Sequence, residues 1–250
     1  MHGLSGKRVI VTGGASGIGR ASVLRLIEEG CVVGIFDLDE AGAADTVARS
    51  GAGPGKAVAY KVDIGDYAQV ENAVRAFETA LGPTELLANI AGWDQASPFL
   101  DTTVALWDKV IRINLYGPLN MHHVVVRGMA ERGFGRVVTI ASDAGRVGSS
   151  GEAVYAACKG GIASFSKTLA RELARRGVTL NVVCPGPTET PLFASFGNPK
   201  LKEALARAIP LRRLGQPDDY PGIIAFLLSD DAKYITGQTI SVSGGLTMQG

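Results

Sequence analysis

The 250-residue sequence has little of what marks disulfide-rich, membrane or nucleic-acid-binding proteins. Its three cysteines, Cys31, Cys158 and Cys184, form neither a CxxC pair nor a cysteine–histidine spacing typical of a metal site. Its formal net charge is only +1, so no basic or acidic surplus indicates a nucleic-acid or membrane-surface partner. No apolar run approaches the ~20 residues that span a bilayer, and the N-terminus lacks the apolar core of a signal peptide. We therefore expect a cytoplasmic protein with no metal, no membrane anchor and no nucleic-acid partner.

Glycine is abundant, and its positions separate short apolar runs from amphipathic segments. The 33 glycines are dispersed at turn positions without low-complexity pattern. Apolar runs predict strands over 8–12, 31–36, 57–62, 85–90, 135–141, 179–184 and 239–242. Helices are predicted over 18–29, 40–49, 67–81, 106–132 (bent near Gly117-Pro118), 154–176 and 217–228.

This alternation of strands and helices predicts an α/β protein. We expect a single-domain Rossmann fold over residues 1–250, with a doubly wound parallel sheet of about seven strands and helices on both faces. The least regular stretch, 187–216, contains four prolines and follows a strand that ends near the ligand-binding edge of such a sheet. It is predicted to be a substrate lid, with a solvated insertion as the alternative.

A glycine-rich loop follows the first predicted strand and opens the first predicted helix. Its glycines, Gly13, Gly17 and Gly19, allow a tight turn, and the helix N-terminus at Ser16 and Ile18 is suited to a pyrophosphate. This context indicates a dinucleotide-binding loop.

An acidic residue at the end of the second strand indicates which dinucleotide is bound. Asp37 lies where a carboxylate accepts hydrogen bonds from the adenosine ribose, and it would repel a 2′-phosphate. Neither Ser16 nor Leu38 supplies a compensating arginine. The cofactor is therefore predicted to be NAD.

Tyr155 and Lys159 are four residues apart and share one face of a predicted helix. A phenol titrates near pKa ~10, so it needs a neighbouring cation to become an acid–base catalyst near neutral pH. The pair is a candidate proton-transfer centre.

Taken together, these motifs resemble the short-chain dehydrogenase/reductase family over essentially the whole chain. The matching residues are 12–19, Asp63, Asn89-Ile-Ala-Gly92, Asn114, Ser142, Tyr155, Lys159 and Pro185-Gly186. The resemblance implies that Tyr155 exchanges the substrate hydroxyl proton while Ser142 polarises the carbonyl oxygen. It implies that Lys159 binds the nicotinamide ribose and lowers the pKa of Tyr155, and that Asn114 holds a water linking Lys159 to solvent.

The resemblance also implies a set of cofactor contacts beyond the glycine loop. Asp63 is expected at the adenine amino group, although a helix cap is its alternative role. The full set of expected cofactor contacts is Gly13, Ser16, Gly17, Ile18, Gly19, Asp37, Leu38, Asp63, Ile64, Asn89, Ala91, Gly92, Tyr155, Lys159, Pro185, Gly186, Thr188 and Thr190. The chain departs from the family pattern at Ile90, where an asparagine is usual, and at Thr188, where a branched apolar residue is common.

A narrower resemblance is to the members of this family that oxidise 2-hydroxycyclohexanecarboxyl-CoA with NAD in alicyclic acid degradation. It implies substrate contacts from Ser142, Tyr155, Trp93, Asp143 and Arg146, with Phe99 beside Trp93. CoA phosphates would meet Arg146 or the basic residues Lys200, Lys202, Arg207, Arg212 and Arg213, each of which could equally be solvated. The resemblance further implies a homotetramer, with His122 and His123 at an interface.

Three other functions remain open at this point. Two are enzymes of the same fold: a 3-oxoacyl thioester reductase, or a dehydrogenase of free cyclic or aryl alcohols. The third is a non-catalytic NAD-binding regulatory protein, because fold alone does not establish activity. The retention of serine, tyrosine and lysine favours an enzyme.

Overall fold

Seven strands form one parallel sheet with the order β3-β2-β1-β4-β5-β6-β7. The computed structural model describes residues 1–51, 53–195 and 199–248. The strands are β1 (Arg8–Thr12), β2 (Val32–Asp37), β3 (Lys56–Lys61), β4 (Leu86–Asn89), β5 (Gly135–Ile140), β6 (Val178–Pro185) and β7 (Thr239–Val242). The strand order reverses direction at β1, which pairs with both β2 and β4, so the expected doubly wound sheet is confirmed.

Helices connect the strands and cover both faces of the sheet. The helices are α1 (Gly17–Glu28), α2 (Glu40–Arg49), α3 (Tyr67–Leu81), α4 (Val104–Ile111), α5 (Gly117–Arg132), α6 (Ala144–Val147), α7 (Ala153–Leu173), α8 (Pro191–Ala194), α9 (Pro199–Ala208) and α10 (Pro221–Leu228). Several predicted bounds are reproduced, including those of α2, α3 and β7.

Alternating side chains of the central strands fill two separate cores. Val9 and Val11 of β1 pack in one cluster with α1 and α10, whereas Ile10 lies in a second cluster with α3 and α5. This follows from the two-residue period of a strand, which directs neighbouring side chains to opposite faces. Because both faces of the sheet are covered by helices, the carboxyl ends of the strands remain open to a ligand.

The long helix predicted over 106–132 is interrupted by a π-helical turn at Arg112–Tyr116. The interruption predicted near Gly117-Pro118 is therefore observed, in the turn directly before Gly117. Pro118 has no backbone N–H, so the carbonyl of Asn114 lacks the donor that an α-helix would supply from four residues later. The wider turn accommodates this loss and places Asn114 in the interior, 0% exposed.

Three helices were not predicted, namely α6, α8 and α9. Two of them lie in the segment 187–216, where the prolines at 191 and 199 begin helices instead of interrupting them. Within the described residues, no helix is both long and apolar enough to cross a membrane.

Candidate active site

A cavity of about 930 Å³ opens at the carboxyl ends of β1, β2, β4, β5 and β6. This is the edge at which open parallel sheets bind ligands, and the volume lies at the upper end of the range for ligand sites. The predicted site residues that line it are Gly13, Ser16, Gly17, Ile18, Gly19, Asp37, Leu38, Asp63, Ile64, Ala91, Gly92, Trp93, Ser142, Asp143, Tyr155, Lys159, Pro185, Gly186, Thr188 and Thr190. Asn89, Asn114 and Arg146 are not among the lining residues.

The glycine loop is held in a conformation that side chains would prevent. Gly13 has a φ of +72°, and a Cβ there would lie 2.8 Å from the Ala91 Cα. A Cβ on Gly19 would lie 1.9 Å from the Gly13 carbonyl oxygen. The residue before α1, Ser16, makes no side-chain cap, and no acidic residue lies in the first turn. The N-terminal N–H groups of α1 are therefore available to an anion.

Asp37 braces this loop from the end of β2. Its carboxylate accepts from the backbone N–H of Ala15 at 2.9 Å and of Asp39 at 3.0 Å. The neighbouring Leu38 is 57% exposed. Asp37 thus joins the glycine loop to the cavity wall. Each of its carboxylate oxygens retains a lone pair that can accept a hydrogen bond from a ligand hydroxyl.

Asp63 does not cap the helix that follows it. The cap of α3 is Asp66, whose side chain accepts from the N–H of Gln69, so the capping role considered for Asp63 is wrong. The Asp63 carboxylate instead accepts from the Gly65 N–H at 2.9 Å and pairs with Arg112 at 2.6 Å. It lines the cavity beside Ile64.

The segment after β4 approaches the loop closely through its backbone. The Thr12 hydroxyl accepts from the N–H groups of Ile90 and Ala91 at 2.9 and 3.1 Å, and donates to Asn89 at 3.2 Å. The Asn89 amide also lies within hydrogen-bond distance of His122, which is buried inside this chain. The expectation that His122 lies at a subunit interface is therefore wrong; His123, in contrast, is exposed and hydrogen-bonds Tyr67.

Ser142, Tyr155 and Lys159 converge on the floor of the cavity. Ser142 follows β5 and adjoins the phenol of Tyr155 on α7. The Lys159 ammonium lies 5.5 Å from the Tyr155 ring centroid and donates to the carbonyl of Ile140 at 2.9 Å. Tyr155 and Lys159 lie one turn apart on α7, as their spacing predicted, and Ser142, which the family resemblance implied, follows β5.

Asn114 lies behind this group in the π-helical turn. Its amide donates to the carbonyls of Trp93 and Val110 at 2.6 and 2.9 Å, and its oxygen accepts from the Trp93 N–H at 3.2 Å. A Cβ on Gly92 would lie 3.0 Å from the Asn114 oxygen and 3.4 Å from the Lys159 ammonium. Asn114 and Lys159 therefore both border Gly92.

Burial shifts the two titrating groups of the pair in opposite senses. Burial of the phenol raises the pKa of Tyr155, and the nearby carboxylates Glu152 and Asp94 raise it further. Burial also lowers the pKa of the Lys159 ammonium to about 8. The direction for the pKa of Tyr155 is therefore opposite to the lowering that was expected from Lys159.

Three charged residues at the site were not predicted. Asp94 and Glu152 line the cavity beside Tyr155, and Lys109 places its ammonium 3.6 Å from the centroid of the Trp93 ring. Glu152 precedes Tyr155 by three residues and so shares its helix face, a signal present in the sequence. Asp94 and Lys109 have no such local signal.

The predicted substrate residues separate into two groups. Trp93 and Asp143 line the main cavity, whereas Phe99 stacks on Trp107 at a centroid distance of 5.3 Å beside a smaller inner cavity. Arg146 donates to the Ser241 hydroxyl at 2.5 Å and lies 3.8 Å from Asp143. Its side chain is only 12% exposed and supports Asp143 from behind the cavity wall.

The other basic residues proposed for CoA do not line the cavity. Lys202 pairs with Glu189 at 2.6 Å, and Arg213 pairs with Asp219 at 2.5 Å. Arg212 donates to the backbone carbonyl of Arg207 at 2.5 Å. Within the described part of the chain, the cations that line the cavity are Lys109 and Lys159.

The segment after β6 forms the far wall. Thr188 is 6% exposed, and its hydroxyl contacts the Tyr220 hydroxyl at 2.5 Å and donates to the Gly186 carbonyl at 2.7 Å. Thr190 caps α8 by accepting from the Phe193 N–H at 3.2 Å. Both threonine side chains are thus engaged within the protein, and both residues line the cavity.

These features fit a nicotinamide dinucleotide. An uncapped helix N-terminus suits its pyrophosphate, Asp37 suits a ribose diol, and Lys159 borders the space between Gly92 and Tyr155. When bound, the nicotinamide donates or accepts a hydride.

Comparison with known proteins agrees with this geometry. Residues 13–247 match a family model described as enoyl-(acyl carrier protein) reductase. The chain is 40% identical to an acetoacetyl-CoA reductase from Shinella zoogloeoides, covering 94% of this chain and 96% of that protein. It is 35% identical to a (3R)-3-hydroxyacyl-CoA dehydrogenase from Mus musculus, covering 96% of this chain and 95% of that protein.

A solved structure extends the similarity to three dimensions. Levodione reductase superposes with a TM-score of 0.91 at 32% identity, covering 96% of this chain and 97% of that chain. The matched range 13–247 spans the residues that line the cavity. The chain is an oxidoreductase that belongs to the short-chain dehydrogenase/reductase family.

Proposed function

We propose that this enzyme interconverts 3-hydroxyacyl and 3-oxoacyl thioesters with NAD(H). The observation that carries the proposal is the convergence of Ser142, Tyr155 and Lys159 on one cavity that also contains Asp37. The reductase and the dehydrogenase reported above act, by their names, on 3-oxoacyl or 3-hydroxyacyl thioesters of CoA. The 3-oxoacyl thioester reductase considered from the sequence is therefore favoured over a dehydrogenase of free alcohols.

Proton transfer is assigned to Tyr155. In reduction, the phenol gives its proton to the substrate oxygen, and Ser142 donates a hydrogen bond to the same oxygen as it gains charge. In oxidation, the phenol must first lose its proton, and the Lys159 ammonium stabilises the resulting phenolate. Lys159 and Asn114 border the same backbone at Gly92, which provides a route by which the proton is replaced.

A ring-bearing substrate is the narrower form of the same proposal. In 2-hydroxycyclohexanecarboxyl-CoA the ring hydroxyl is β to the thioester, so oxidation yields a 3-oxoacyl thioester. Trp93 presents an aromatic surface to the cavity that suits a cyclohexane ring. The Lys109 ammonium lies over the Trp93 ring, so the same wall of the cavity also carries a cation that suits a CoA phosphate.

NAD is preferred over NADP in this proposal. Asp37 occupies the position that a 2′-phosphate would approach. Two cations next to this part of the structure are already engaged: Arg20 pairs with Asp45 and donates to the Ala15 carbonyl, and Lys61, beside Asp37 in the sheet, pairs with Glu40. None of these contacts leaves a guanidinium or ammonium opposite the Asp37 carboxylate.

The lid and the assembly state belong to the same proposal. From the segment 187–216, Leu192, Phe193 and Leu205 line the cavity beside the two threonines, which suits a lid that closes over substrate.

Exposed apolar side chains on and next to α4, including Val104 and Tyr116, suit burial in a homotetramer. Light scattering of the purified protein measures the assembly state.

A panel of substrates tests the proposed reaction. Acetoacetyl-CoA with NADH, and 3-hydroxybutyryl-CoA or 2-hydroxycyclohexanecarboxyl-CoA with NAD, should each change the nicotinamide absorbance. Free 2-hydroxycyclohexanecarboxylic acid and cyclohexanol are the matched compounds without the thioester. Turnover of the free alcohols alone would remove the thioester from the proposal, and turnover of the cyclic thioester alone would select the narrower form.

Tyr155→Phe tests the assigned proton transfer. It should keep cofactor binding and lose roughly 100- to 10,000-fold in kcat, the usual contribution of a general acid–base group. Tyr234→Phe is the control, because Tyr234 is fully exposed outside the cavity and the same hydroxyl is removed. Activity of Tyr155→Phe within a few-fold of the unsubstituted enzyme would contradict the assignment.

A further inference from the structure

The hydroxyl of Ser241 connects the edge strand β7 to the short helix α6 that follows Ser142. Ser241 lies in β7, where it is paired with Cys184 of β6. Its hydroxyl donates to the Asp143 carboxylate at 2.5 Å and accepts from the Arg146 guanidinium at 2.5 Å. One hydroxyl thus acts as donor and as acceptor between two side chains of opposite charge.

The Asp143 carboxylate depends on this contact because it is buried. Asp143 is only 6% exposed, and the Arg146 guanidinium lies 3.8 Å away, beyond hydrogen-bond distance. The second carboxylate oxygen, Oδ2, has no hydrogen-bond partner among the described residues. In the part of the chain that the structure describes, the side-chain donor to this carboxylate is therefore Ser241, and a buried charge without a donor is unfavourable.

Ser142 is tied to the same turn of the backbone. Its hydroxyl oxygen accepts from the Ala144 N–H at 3.1 Å, and its carbonyl accepts from the Gly145 N–H at 3.1 Å. Because the hydroxyl oxygen accepts from the backbone, its proton remains for an oxygen in the cavity. The position of α6 therefore determines where Ser142 directs that proton.

Two contacts hold α6 against different elements. Gly145 packs closely on α7: a Cβ there would lie 2.5 Å from the Gly160 nitrogen and 2.7 Å from the Lys159 carbonyl carbon. Asp143, immediately before α6, is held by Ser241 of β7, which is the last strand of the sheet. The first contact places α6 relative to the helix of the tyrosine–lysine pair, and the second ties it to the sheet.

We propose that Ser241 is a positioning residue for the reaction, and that it acts through Asp143 to hold Ser142 in place against the substrate oxygen. The proposal rests on the proposed function in taking Ser142 as the hydrogen-bond donor to that oxygen. Ser241 is not among the described residues that line the cavity, so its effect is indirect. Without its hydroxyl, the 3.8 Å between Arg146 and Asp143 must close to about 2.8 Å before the carboxylate has a donor.

Ser241→Ala tests this role with the substrate of the panel above on which the unsubstituted enzyme is most active. A displacement of about 1 Å reduces a rate up to about 100-fold, so kcat should fall about 10- to 100-fold. The KM for the cofactor should stay within a few-fold, because the glycine loop and Asp37 are unchanged. Ser241→Thr restores the hydroxyl on a residue that suits a strand, and it should return kcat to within a few-fold of the unsubstituted enzyme.

The control is Thr239→Val, which removes a hydroxyl from the same strand. The Thr239 hydroxyl is buried and has no hydrogen-bond partner among the described residues, and valine has nearly the same shape. Its kcat and its cofactor KM should match those of the unsubstituted enzyme. A loss of kcat in Thr239→Val equal to that in Ser241→Ala would show a general effect of β7 and contradict the proposal.

A double substitution shows whether Ser241 acts through Ser142. Once Ser142→Ala has removed the donor, its position no longer matters, so adding Ser241→Ala should lower kcat by less than about twofold further. Independent effects would multiply instead. A merely structural role for Ser241 would therefore reduce kcat by the same factor with and without the Ser142 hydroxyl.

The outcomes separate this inference from the proposed function. Unchanged kcat in Ser241→Ala, or a multiplied loss in the double variant, would overturn the positioning role alone. Activity of Ser142→Ala within a few-fold of the unsubstituted enzyme would overturn the hydrogen bond assigned to Ser142 in the proposed function. If Ser241→Ala does not fold, Ser241→Cys keeps a weak donor of similar size and should show a smaller loss that again disappears in Ser142→Ala.

Discussion

At the residue scale, Asp37 combines a structural contact with a ligand-facing position. One carboxylate oxygen accepts from the Ala15 N–H in the glycine loop, and the other accepts from the Asp39 N–H. The same residue lines the cavity, where it is proposed to contact the adenosine ribose. A substitution at Asp37 is therefore expected to change both the support of the loop and the cofactor preference.

Asp37→Ala should relax the discrimination against NADP. Removing the carboxylate removes its repulsion of a 2′-phosphate, so the ratio of kcat/KM with NAD to that with NADP should fall by about tenfold or more, or about 1.4 kcal/mol. Asp39→Ala is the matched control: it removes the neighbouring carboxylate, which caps α2. It should cost about 1 kcal/mol of stability and leave the cofactor ratio unchanged. An unchanged ratio in Asp37→Ala would contradict the ribose contact.

The site residues that could be predicted without the family resemblance are those that depend on local spacing. Tyr155, Lys159 and the glycines lie within one turn or one loop, so their geometry follows from helix and turn periodicity. Asp94 and Lys109 acquire their roles only when the β4–α4 loop and α4 fold against α7 and Trp93. Such contacts depend on tertiary packing, which a single sequence does not specify at the level of side chains.

At the scale of elements, the turn between β1 and α1 has the least tolerance for added volume. A Cβ on Gly19 would overlap the Gly13 carbonyl at 1.9 Å, and the clash involves backbone, which cannot rotate away. The loop and the first turn of α1 must therefore separate if any side chain is introduced. This connects loop geometry directly to anion binding at the helix N-terminus.

Gly19→Ala should abolish cofactor binding and lower stability. The displaced turn moves the α1 N–H groups, so titration by nicotinamide fluorescence should show no saturation at concentrations that saturate the unsubstituted enzyme. Gly222→Ala is the control, because a Cβ there, in α10, meets no atom within 4 Å. It should bind cofactor normally and gain up to about 1 kcal/mol from helix propensity. Normal binding by Gly19→Ala would contradict the close approach.

The ends of a helix were predictable where a single capping residue or glycine sets them. They were not predictable where the effect of a proline depends on tertiary contacts. The start of α3 is set by Asp66, which caps it, and its end by Gly82 with a φ of +97°. The interruption of the long helix depends instead on Pro118, on the amide of Asn114 and on packing against Trp93. Prolines in 187–216 suggested irregular chain, yet at the first position of a helix proline is favourable.

At the scale of the whole molecule, cofactor binding should stabilise the fold as a unit. The cavity is lined by residues from Gly13 to Thr247, so ligand bridges elements from both halves of the sheet. A ligand at 100 times its Kd adds about 2.7 kcal/mol to the free energy of unfolding if it binds the native state alone. For a chain of this length that corresponds to a rise in Tm of roughly 5–11 °C.

Thermal unfolding with and without NADH measures this effect. The rise should be smaller with NADPH at the same concentration, and it should persist in Tyr155→Phe, whose cofactor contacts are retained. Gly19→Ala should show no rise. Equal stabilisation by NADH and NADPH would contradict the preference that Asp37 is proposed to impose.

The central position of β1 has a consequence for how the chain folds during synthesis. Thr12 pairs with Phe36 on one side and with Asn89 on the other, and that second partner is 77 residues away in sequence. The glycine loop consequently lacks its neighbour at Ala91 until β4 has left the ribosome. Ser142 and Tyr155 emerge later still, so the glycine loop, Asp37 and Ala91 have all been translated before the residues that are proposed to transfer protons.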